Sequence, residues 1–546
     1  MASSHARTPP PAQHAEPQRR LTRLHGGVWR ADDKTSKAMR WGFPTCLCVL
    51  SLLGVPLSLG GCAVGPDFVR PEAPIAENWL GTGDPHLATR SVPDGPWWKA
   101  FNDPVLDRLV DLAYKQNLPL QIAGLRIMEA RAQLGVATGQ KYPQVQVASG
   151  SVTAVGLSEN AATVAFPTRN YVEYQFGFDA VWELDFWGKY RRGVEAQAAS
   201  LLASVADYDS ALVSLTAEVA RIYVVIRTFE VLIEQAQENA SVQENALAIA
   251  TSRFRNGATS ELDPTQAKTL LESTLASIPR LQIGLQQARN ALSTVLGQPA
   301  GEVDTLLAGA KVIPTPPAEV AVGVPADMLR RRPDIRAAEL SAAAQCARIG
   351  IAKAELYPSF TLFGTIGLES TSGGASTHNL FSASSIFYLV GPRVHIPFFN
   401  YGRLTNSVRV QDARFQQLLV GYGETVLRAA QEVEDALAGF LNSQQAMGFE
   451  QSAVAAAQRS VKIAVIEYRE GAADYQRVLE AQRSLLQQQN SLAQTSSSVV
   501  TNLIALYKAL GGGWELRQGQ PFMPARMQRE MEERTDWGDL LSQPVR

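Results

Sequence analysis

Cysteine and histidine, the side chains with the widest chemistry in proteins, are scarce in this sequence of 546 residues. Of the four cysteines, Cys46, Cys48 and Cys62 lie in or at the end of an N-terminal apolar segment. Cys346 stands alone in the rest of the chain, so an internal disulfide framework is excluded if that segment is cleaved. We expect Cys346, in a stretch of small residues, to be a buried and inert thiol.

The histidines that follow the apolar segment, His86, His378 and His395, are far apart, and none has the spacing of metal ligands. The chain also lacks a G-x-S-x-G nucleophile elbow and a phosphate-binding glycine loop followed by Lys-Ser or Lys-Thr. These residues predict no catalytic reaction, no metal site and no diffusible cofactor. We therefore expect a protein that is not an enzyme.

Cys62 follows a segment that is typical of export signals. Basic residues within positions 34–40 precede the apolar run 46–59, which is too short to span a bilayer as a helix. The run ends in "LGGC" (59–62), which resembles a bacterial lipobox. In a lipobox the cysteine receives diacylglycerol and an N-acyl chain and becomes the first residue of the mature protein. The alternative is an ordinary cleaved signal with an incidental cysteine.

Residues 1–61 are thus predicted to be a signal peptide with an over-extended N-terminus, the true start being at Met39. The formal net charge of −2 and the 19% of charged residues argue against a nucleic-acid partner. After residue 68 we find no apolar run of about 18 residues, so no further spanning helix is expected.

The rest of the chain repeats itself. The motif "GQKYPQVQV" around Tyr142 resembles "AELYPSFTL" around Tyr357, 215 positions later. "WGKY" at Trp187 resembles "YGRL" at Tyr401, 214 positions later, and "RFRNGA" resembles "EYREGA" at the same offset of 214. Three anchors at almost one offset predict two copies of a single unit.

Each copy contains a very long predicted helix, because no proline occurs between Trp187 and Asp263 or between Pro397 and Pro521. Apolar residues recur at alternating intervals of four and three, at Leu201, Val205, Tyr208, Leu212, Leu215, Val219, Ile222, Ile226, Phe229 and Ile233 in the first copy and at Phe415, Leu419, Tyr422, Val426, Ala429, Val433, Ala436 and Phe440 in the second. This seven-residue repeat predicts a left-handed supercoil against neighbouring helices. Each helix would be on the order of 100 Å long at 1.5 Å per residue.

Two hairpins of alternating residues separate the helices, the first from strands 144–157 and 171–182 and the second from strands 359–370 and 386–399. Tilted strands of this length can cross an outer membrane. Four strands cannot close a barrel, and an open sheet edge is not tolerated in lipid, so several chains would have to pool their hairpins. Three chains would supply twelve strands. The open alternative is two hairpins packed on a soluble helical bundle.

Trp182, Phe186 and Trp187 cluster where the first hairpin meets the long helix. An aromatic girdle of a membrane barrel fits this position, and a soluble aromatic core is the alternative.

Four longer motifs resemble the outer membrane factor family, of TolC, NodT and OprM type. They are "CAVGPDFVRPEAPIAENW" (62–79), "ELDFWGKYRRGVEA" (183–196), "LRRRPDIRAAE" (329–339) and "YREGAADYQRVLEAQRSLL" (468–486). The resemblance covers nearly the whole mature chain. It implies the exit duct of a tripartite efflux pump, which conducts small molecules passively to the exterior.

The implied fold is an α+β membrane protein in which a trimeric twelve-stranded β-barrel, with four strands per chain, continues into a long coiled-coil-like helical barrel in the periplasm. The implied partners are two further copies of the chain, a periplasmic adaptor or membrane fusion protein, an inner-membrane pump of the resistance-nodulation-division class and outer membrane lipid. The lipid on Cys62 is the one covalent group. Rival interpretations are the duct of an ATP-driven type I protein secretion system and a coiled-coil envelope protein without a pore.

The predicted organisation is a signal peptide at 1–61, a lipidated extended arm at 62–103, a first repeat at 104–300, an equatorial linker at 301–325, a second repeat at 326–510 and an equatorial tail at 511–546. Within the repeats we predict hairpins at about 144–182 and 359–399, long helices at 188–256 and 402–470, and shorter helices at 264–296, with a kink at Pro279, and at 474–510.

The resemblance places the functional sites at the turns that join the paired helices. In the family these turns form the closed periplasmic tip and dock the adaptor, and the matching positions are Arg255, Gly257, Arg469 and Gly471. Glycine at both turns also fits ordinary helix capping.

The implied gate lies on the tip helices of the second repeat. Tyr468 matches the gate tyrosine, and Glu480 matches a constricting acidic residue. Arg477 falls where some members carry a second acidic residue, and Ala473 replaces a gate arginine. Arg477 and Glu480 are three apart and can pair within one chain, although this pair fits an ordinary surface contact as well. We expect three copies of Glu480 to ring the pore, close its mouth and favour cations.

Overall fold

The computed structural model describes residues 63–80, 83–85, 87–88, 95–160, 169–317, 319–372 and 379–541. All of them belong to one compact unit, residues 61–546. The predicted signal peptide and the predicted acylation site Cys62 lie outside the described residues, as do His86 and His378.

Helices dominate the described chain and fall into two similar sets. The first half contains α1 (Pro104–Gln116), α2 (Leu118–Gly139), α3 (Lys189–Arg255), α4 (Leu262–Val295) and the short α5 (Val303–Leu306). The second half contains α6 (Pro325–Arg331), α7 (Pro333–Ala354), α8 (Arg403–Arg469), α9 (Tyr475–Ala509) and α10 (Ala525–Arg534). α3 and α8 are 67 residues long each, and α2 and α7 are 22 residues long each.

The ends of the long helices follow from local sequence. α3 and α8 both begin after a glycine in the left-handed conformation, Gly188 with φ 79° and Gly402 with φ 80°. α1 begins after Asp103, whose carboxylate accepts the Val105 amide at 2.9 Å as an N-cap. The kink predicted at Pro279 does not interrupt the helix, because α4 continues through it to Val295.

Six strands form two sheets within the described ranges of the chain. The short strands β1 (Leu87–Ala88) and β4 (Val320–Ala321) pair in parallel, whereas β2 (Val145–Gly156), β3 (Asn170–Leu184), β5 (Ser359–Thr371) and β6 (Ile386–His395) form one antiparallel sheet in the order β2-β3-β5-β6. Within one chain this sheet is open, with β2 and β6 at its edges. The last predicted strand reaches only His395 and not residue 399.

The two faces of the large sheet differ in polarity because side chains alternate along each strand. The ladder places Phe178, Ile366 and Tyr388 side by side on one face, and they are 55%, 57% and 76% exposed. The opposite face carries Asp179, which accepts the hydroxyl of the facing Thr365 at 2.7 Å. One apolar and one polar face is the pattern of a wall between lipid and water.

The main hydrophobic core surrounds the middle of α3. The seven-residue stripe predicted for α3 and α8 is largely buried there; Leu212, Val219 and Ile226, for example, have no exposed surface. Trp97 from the N-terminal arm stacks on Tyr507 of α9 with ring centroids 5.3 Å apart.

The segments outside the two halves also pack around α3. The carbonyl of Leu307, in the linker, accepts from the fully buried Arg227 at 2.9 Å, and Arg517 of the C-terminal tail pairs with Asp209 at 2.5 Å. Linker and tail therefore contact the same stretch of α3, between Asp209 and Arg227. Of the helices in the described part of the chain, none is both long enough and apolar enough to cross a membrane.

Candidate functional site

The tips of the two helical pairs share one turn geometry. Gly257 follows α3 with φ 70°, and Gly471 follows α8 with φ 81°. In both tips the amide after the glycine donates to the carbonyl four residues before the glycine, at 2.9 Å and 2.8 Å. This is the hydrogen-bond pattern of a Schellman C-cap, which needs a left-handed residue and so favours glycine.

Tyr468, the predicted gate tyrosine, ties the two tips together. Its hydroxyl donates to Asp263 Oδ2 at the start of α4, at 2.9 Å. The Arg253 guanidinium lies 4.8 Å from the centre of the Tyr468 ring and donates to the carbonyl oxygens of Tyr468 and Arg469. The ring also meets Tyr475 edge-on at 5.2 Å. One side chain thereby connects α3, α4, α8 and α9.

Both tyrosines are removed from solvent, Tyr468 at 2% and Tyr475 at 1% exposure. They pack in a small core with Ala246, Ala250, Ala267, Leu270, Ala464, Val478 and Leu479. Burial raises the pKa of Tyr468 above its ordinary value, and the hydrogen bond to Asp263 raises it further. Burial, with a smaller effect of Asp263, raises the pKa of Tyr475 to about 12. Both hydroxyls are therefore protonated at neutral pH, so that Tyr468 can donate.

The other predicted gate residues lie on the exposed face of α9. Arg477 and Glu480 are both exposed. Within α9, which the structure describes throughout, they do not form the pair that their spacing allows: Glu480 Oε1 accepts from Gln476 Nε2 at 3.1 Å instead. The Arg477 backbone amide bonds the N-cap residue Asp474 at 3.4 Å.

The predicted docking positions are all at the surface of the tips. Arg255, Gly257, Arg469 and Gly471 are exposed, and Arg469 contacts only its neighbour Glu470 among the ion pairs of the described residues, at 3.3 Å. Such a pair between two exposed side chains contributes little to stability. The two arginine side chains and the exposed backbone at the two glycines can therefore meet another surface.

Sequence reasoning missed Asp263 and Arg253 as parts of this site. Both stand in the first tip, more than 200 positions from Tyr468. The sequence places both residues near a turn, but no pattern in it indicates that they contact Tyr468. That contact arises because the two helical pairs pack side by side.

Polar side chains are also buried deeper between the helices, away from the tip turns. Asn239 Nδ2 donates to Gln489 Oε1 at 2.6 Å, which joins α3 to α9. Gln243 and Gln482 are 2% and 3% exposed. The Gln243 Oε1 atom and both amide atoms of Gln482 have no hydrogen-bond partner among the described residues. Unpaired buried amides destabilise the packing around them.

The N-terminal arm is anchored where the large sheet meets α3. The Val64 amide donates to the Trp187 carbonyl at 3.0 Å. The buried Arg192 guanidinium pairs with Asp67 at 2.6 Å and with Glu195 at 2.8 Å. The chain directly after the predicted acylation site is thus held against this junction.

Two further groups lie close to this anchored arm. Cys346 is buried beneath it, with Sγ 3.6 Å from the Pro66 carbonyl, and burial raises the pKa of its thiol. The thiolate that would be needed for reaction is thereby disfavoured. His395 ends β6 at the sheet edge. In the described part of the chain no group of three or more His, Cys, Asp or Glu side chains is arranged to hold a metal ion.

Comparisons with known proteins agree with this architecture. The profile of the family described as "Outer membrane efflux protein" matches residues 109–298 and 324–512. Nodulation protein T of Rhizobium leguminosarum bv. trifolii is 32% identical over 78% of this chain and 89% of its own length. The probable outer membrane lipoprotein SilC of Salmonella typhimurium is 32% identical over 86% of this chain and 99% of its own. The solved outer-membrane channel OprN superposes with a TM-score of 0.77 at 30% identity, over 83% of this chain and all of OprN.

Proposed function

The chain belongs to the outer membrane efflux protein family, and from that membership we propose that three copies form a gated duct through which small molecules, drugs or metabolites, leave the cell. As a member of this family the protein is the outer-membrane component of an efflux system. The observation that carries the gated mechanism is the Tyr468 hydroxyl donating to Asp263 across the two tips.

The open sheet supports a ring of three copies. Four strands with free edges at β2 and β6 cannot stand alone in lipid, since each unpaired backbone group would cost several kcal/mol. Three copies supply twelve strands, an even number that suits a closed barrel. The apolar face would then contact lipid and the polar face would line the duct. The long helices would continue the duct into the periplasm.

The tip would be the closed end of the duct. Opening moves the helical pairs apart, so it must break the hydrogen bond from Tyr468 to Asp263 and the contacts of Arg253 with the Tyr468 ring and carbonyl. These contacts lie within one chain and favour the closed arrangement. Arg477 and Glu480, exposed on α9, would face the pore axis, where three carboxylates of Glu480 narrow the mouth and attract cations.

The energy for transport would come from elsewhere, since no reaction is expected of this chain. We infer that an adaptor, a membrane fusion protein of the periplasm, docks on the exposed tip positions Arg255, Gly257, Arg469 and Gly471. An inner-membrane pump of the resistance-nodulation-division class would deliver the substrate through the adaptor. The duct itself would conduct passively once its tip is open.

The lipid anchor is proposed at Cys62, as diacylglycerol with an N-acyl chain. Support comes from the arm, whose first described residue Ala63 lies so close to the sheet–helix junction that a Cβ on Gly188 would approach the Ala63 Cβ to 2.7 Å. An anchor attached here would enter the membrane surface beside the strand ends. One relative, SilC, is named as a probable outer membrane lipoprotein.

Planar-bilayer recording of the purified protein tests the duct and its mouth together. Wild type is expected to give rare, cation-preferring openings, and its mass in detergent should equal three chains. Glu480→Ala is expected to raise the closed-state conductance and to reduce the preference for cations. Gln487→Ala, an exposed change on the same helix, is the control. A monomer without conductance would overturn the duct, and unchanged selectivity in Glu480→Ala would overturn the role of Glu480.

A further inference from the structure

Four buried amide side chains lie between α3 and α9, and we call them the amide layer. They are Asn239 and Gln243 of α3 and Gln482 and Gln489 of α9. The hydrogen bond from Asn239 to Gln489 crosses from one helix to the other. The amide layer therefore stands where the first helical pair, α3 with α4, meets the second pair, α8 with α9.

The register of the two helices brings Gln243 and Gln482 to similar levels. α3 runs toward the tip and α9 runs away from it, so the residues after Asn239 stand beside the residues before Gln489. At 1.5 Å per residue, Gln243 lies about 6 Å nearer the tip than Asn239, and Gln482 lies about 10 Å nearer than Gln489. The two glutamines are thus within one helical turn of the same level.

These two glutamines carry the unpaired atoms of the amide layer. Oε1 of Gln243 and both Oε1 and Nε2 of Gln482 are buried and have no hydrogen-bond partner among the described residues. Burying a polar group without a partner typically lowers the population of the packed state by roughly tenfold or more. The closed packing therefore carries a penalty at the contact between the two helical pairs.

The second repeat shows that a buried position here does not require an amide. The residue 214 positions after Gln243 is Ala457, which is also buried. Ala457 forms an apolar cluster with Val461 of the same helix and Leu485 of α9. At the level of the amide layer, α9 therefore makes an apolar contact with α8 and a polar contact with α3.

This difference decides which contact of α9 separates more easily. Parting an apolar contact exposes carbon atoms to water, which is unfavourable. Parting the amide layer exchanges the hydrogen bond from Asn239 to Gln489 for hydrogen bonds to water, at a small net cost. It also gives water as a partner to the unpaired atoms of Gln243 and Gln482. At this level α9 therefore separates from α3 more easily than from α8.

We propose that the amide layer takes up water as the tip opens, and that this hydration opposes the closing effect of the hydrogen bond from Tyr468 to Asp263. The inference rests on the proposed gated duct and adds a second determinant of its open fraction. Gln482 lies about 10 Å, or two turns of α9, from Tyr475 in the core of the tip. As α3 and α9 part, water donates to Oε1 of Gln243 and Gln482 and accepts from Nε2 of Gln482. The amide layer thereby keeps the closed tip weak enough to be opened.

The conductance of bilayers that hold many copies tests the proposal, because it reports the open fraction even when openings are rare. Gln482→Leu keeps a side chain of similar size and removes the amide. It is expected to lower the open fraction by roughly tenfold for each copy. Gln487→Leu makes the same change at an exposed position of α9 and is expected to match wild type. An unchanged or higher open fraction in Gln482→Leu, or an equal decrease in both variants, would overturn the proposal.

The rate of thiol modification tests where water enters. Gln482→Cys is made in the full chain with Cys346→Ala as background, and the protein in membranes is treated with a water-soluble methanethiosulfonate reagent. Val461→Cys is the matched control, because Val461 is buried at a similar level in the contact between α8 and α9. Gln482→Cys is expected to react at least tenfold faster than Val461→Cys and faster still when Tyr468→Phe is added. Equal rates at the two positions, or a faster reaction at position 461, would overturn water entry between α3 and α9.

The outcomes separate this inference from the proposed function. If the protein conducts as a trimer but Gln482→Leu leaves its conductance unchanged, the role of the amide layer is overturned and the duct stands. If the wild-type protein forms no trimer and does not conduct, the duct itself is overturned, and the role of the amide layer in opening falls with it.

Discussion

Tyr468→Phe removes the hydrogen bond between the two tips and keeps the buried ring. A hydrogen bond to a carboxylate contributes about 1.5–3 kcal/mol. The low end applies here, because Asp263 also accepts the Thr259 hydroxyl and keeps a partner in the variant. About 1.5 kcal/mol corresponds to roughly a tenfold shift toward the open tip in each copy. If three copies open together, the shift would be on the order of a thousandfold.

Single-channel recording measures this shift as the fraction of time spent open. Tyr475→Phe is the matched control: it makes the same chemical change in the same small core, where no hydrogen bond from the Tyr475 hydroxyl to a described residue is found. Tyr468→Phe is expected to open far more often than wild type, and Tyr475→Phe is expected to behave almost as wild type. An unchanged open fraction in Tyr468→Phe, or an equal increase in both variants, would refute the conclusion that the hydrogen bond from Tyr468 to Asp263 holds the tip closed.

Three further predictions concern the tip and the helices above it. Gly471→Ala places a Cβ on a residue in the left-handed conformation and should destabilise the tip by about 1–2 kcal/mol. Gly448→Ala is the control, because Gly448 lies within α8 and a Cβ there would meet no other atom within 4 Å. Limited proteolysis at the tips measures the difference between the two variants. Gln482→Leu replaces a buried amide without a partner and should stabilise the trimer by about 1–3 kcal/mol in thermal unfolding, and a loss of stability would contradict this. Burial raises the pKa values of Tyr468 and Tyr475, so the folded tip holds these protons more tightly than the unfolded chain does. The stability that the two protonated tyrosines give the tip is therefore complete below pH 10. It is lost as the pH rises through their raised pKa values, which for Tyr475 is about 12. Limited proteolysis of the tips at increasing pH would detect this loss.

The long helices could be predicted well because their determinants are local. A helix of 67 residues needs an unbroken stretch without proline and a recurring apolar position, and α3 has both. Its start after Gly188 and its end before Gly257 are also local, because left-handed backbone ends regular structure where it occurs.

Pro279 shows that a proline inside a helix need not end it. Pro279 stands on an exposed part of α4, where water can satisfy the carbonyl that a proline ring displaces. The helix therefore continues through it. Exposure of one turn is a property of the packed chain, which sequence alone does not state.

The strands show where local pattern stops being sufficient. Alternation predicts β6 as far as Phe399, but the strand ends at His395, because β5 begins at Ser359 and offers no partner beyond it. A strand is defined by its neighbour as well as by its own residues. Which neighbour continues the ladder depends on the assembly.

From the sequence alone we predict the compartment, through the segment that ends in Cys62, and we predict the two long helices and two hairpins from period and proline content. These are properties of residues close together along the chain. The packing of the folded chain brings Tyr468 to Asp263, keeps Arg477 and Glu480 apart and lets Arg192 hold the N-terminal arm. Each of these contacts depends on how separate elements pack, and a hydrogen bond between residues 205 positions apart leaves no trace in the periodicity of either segment.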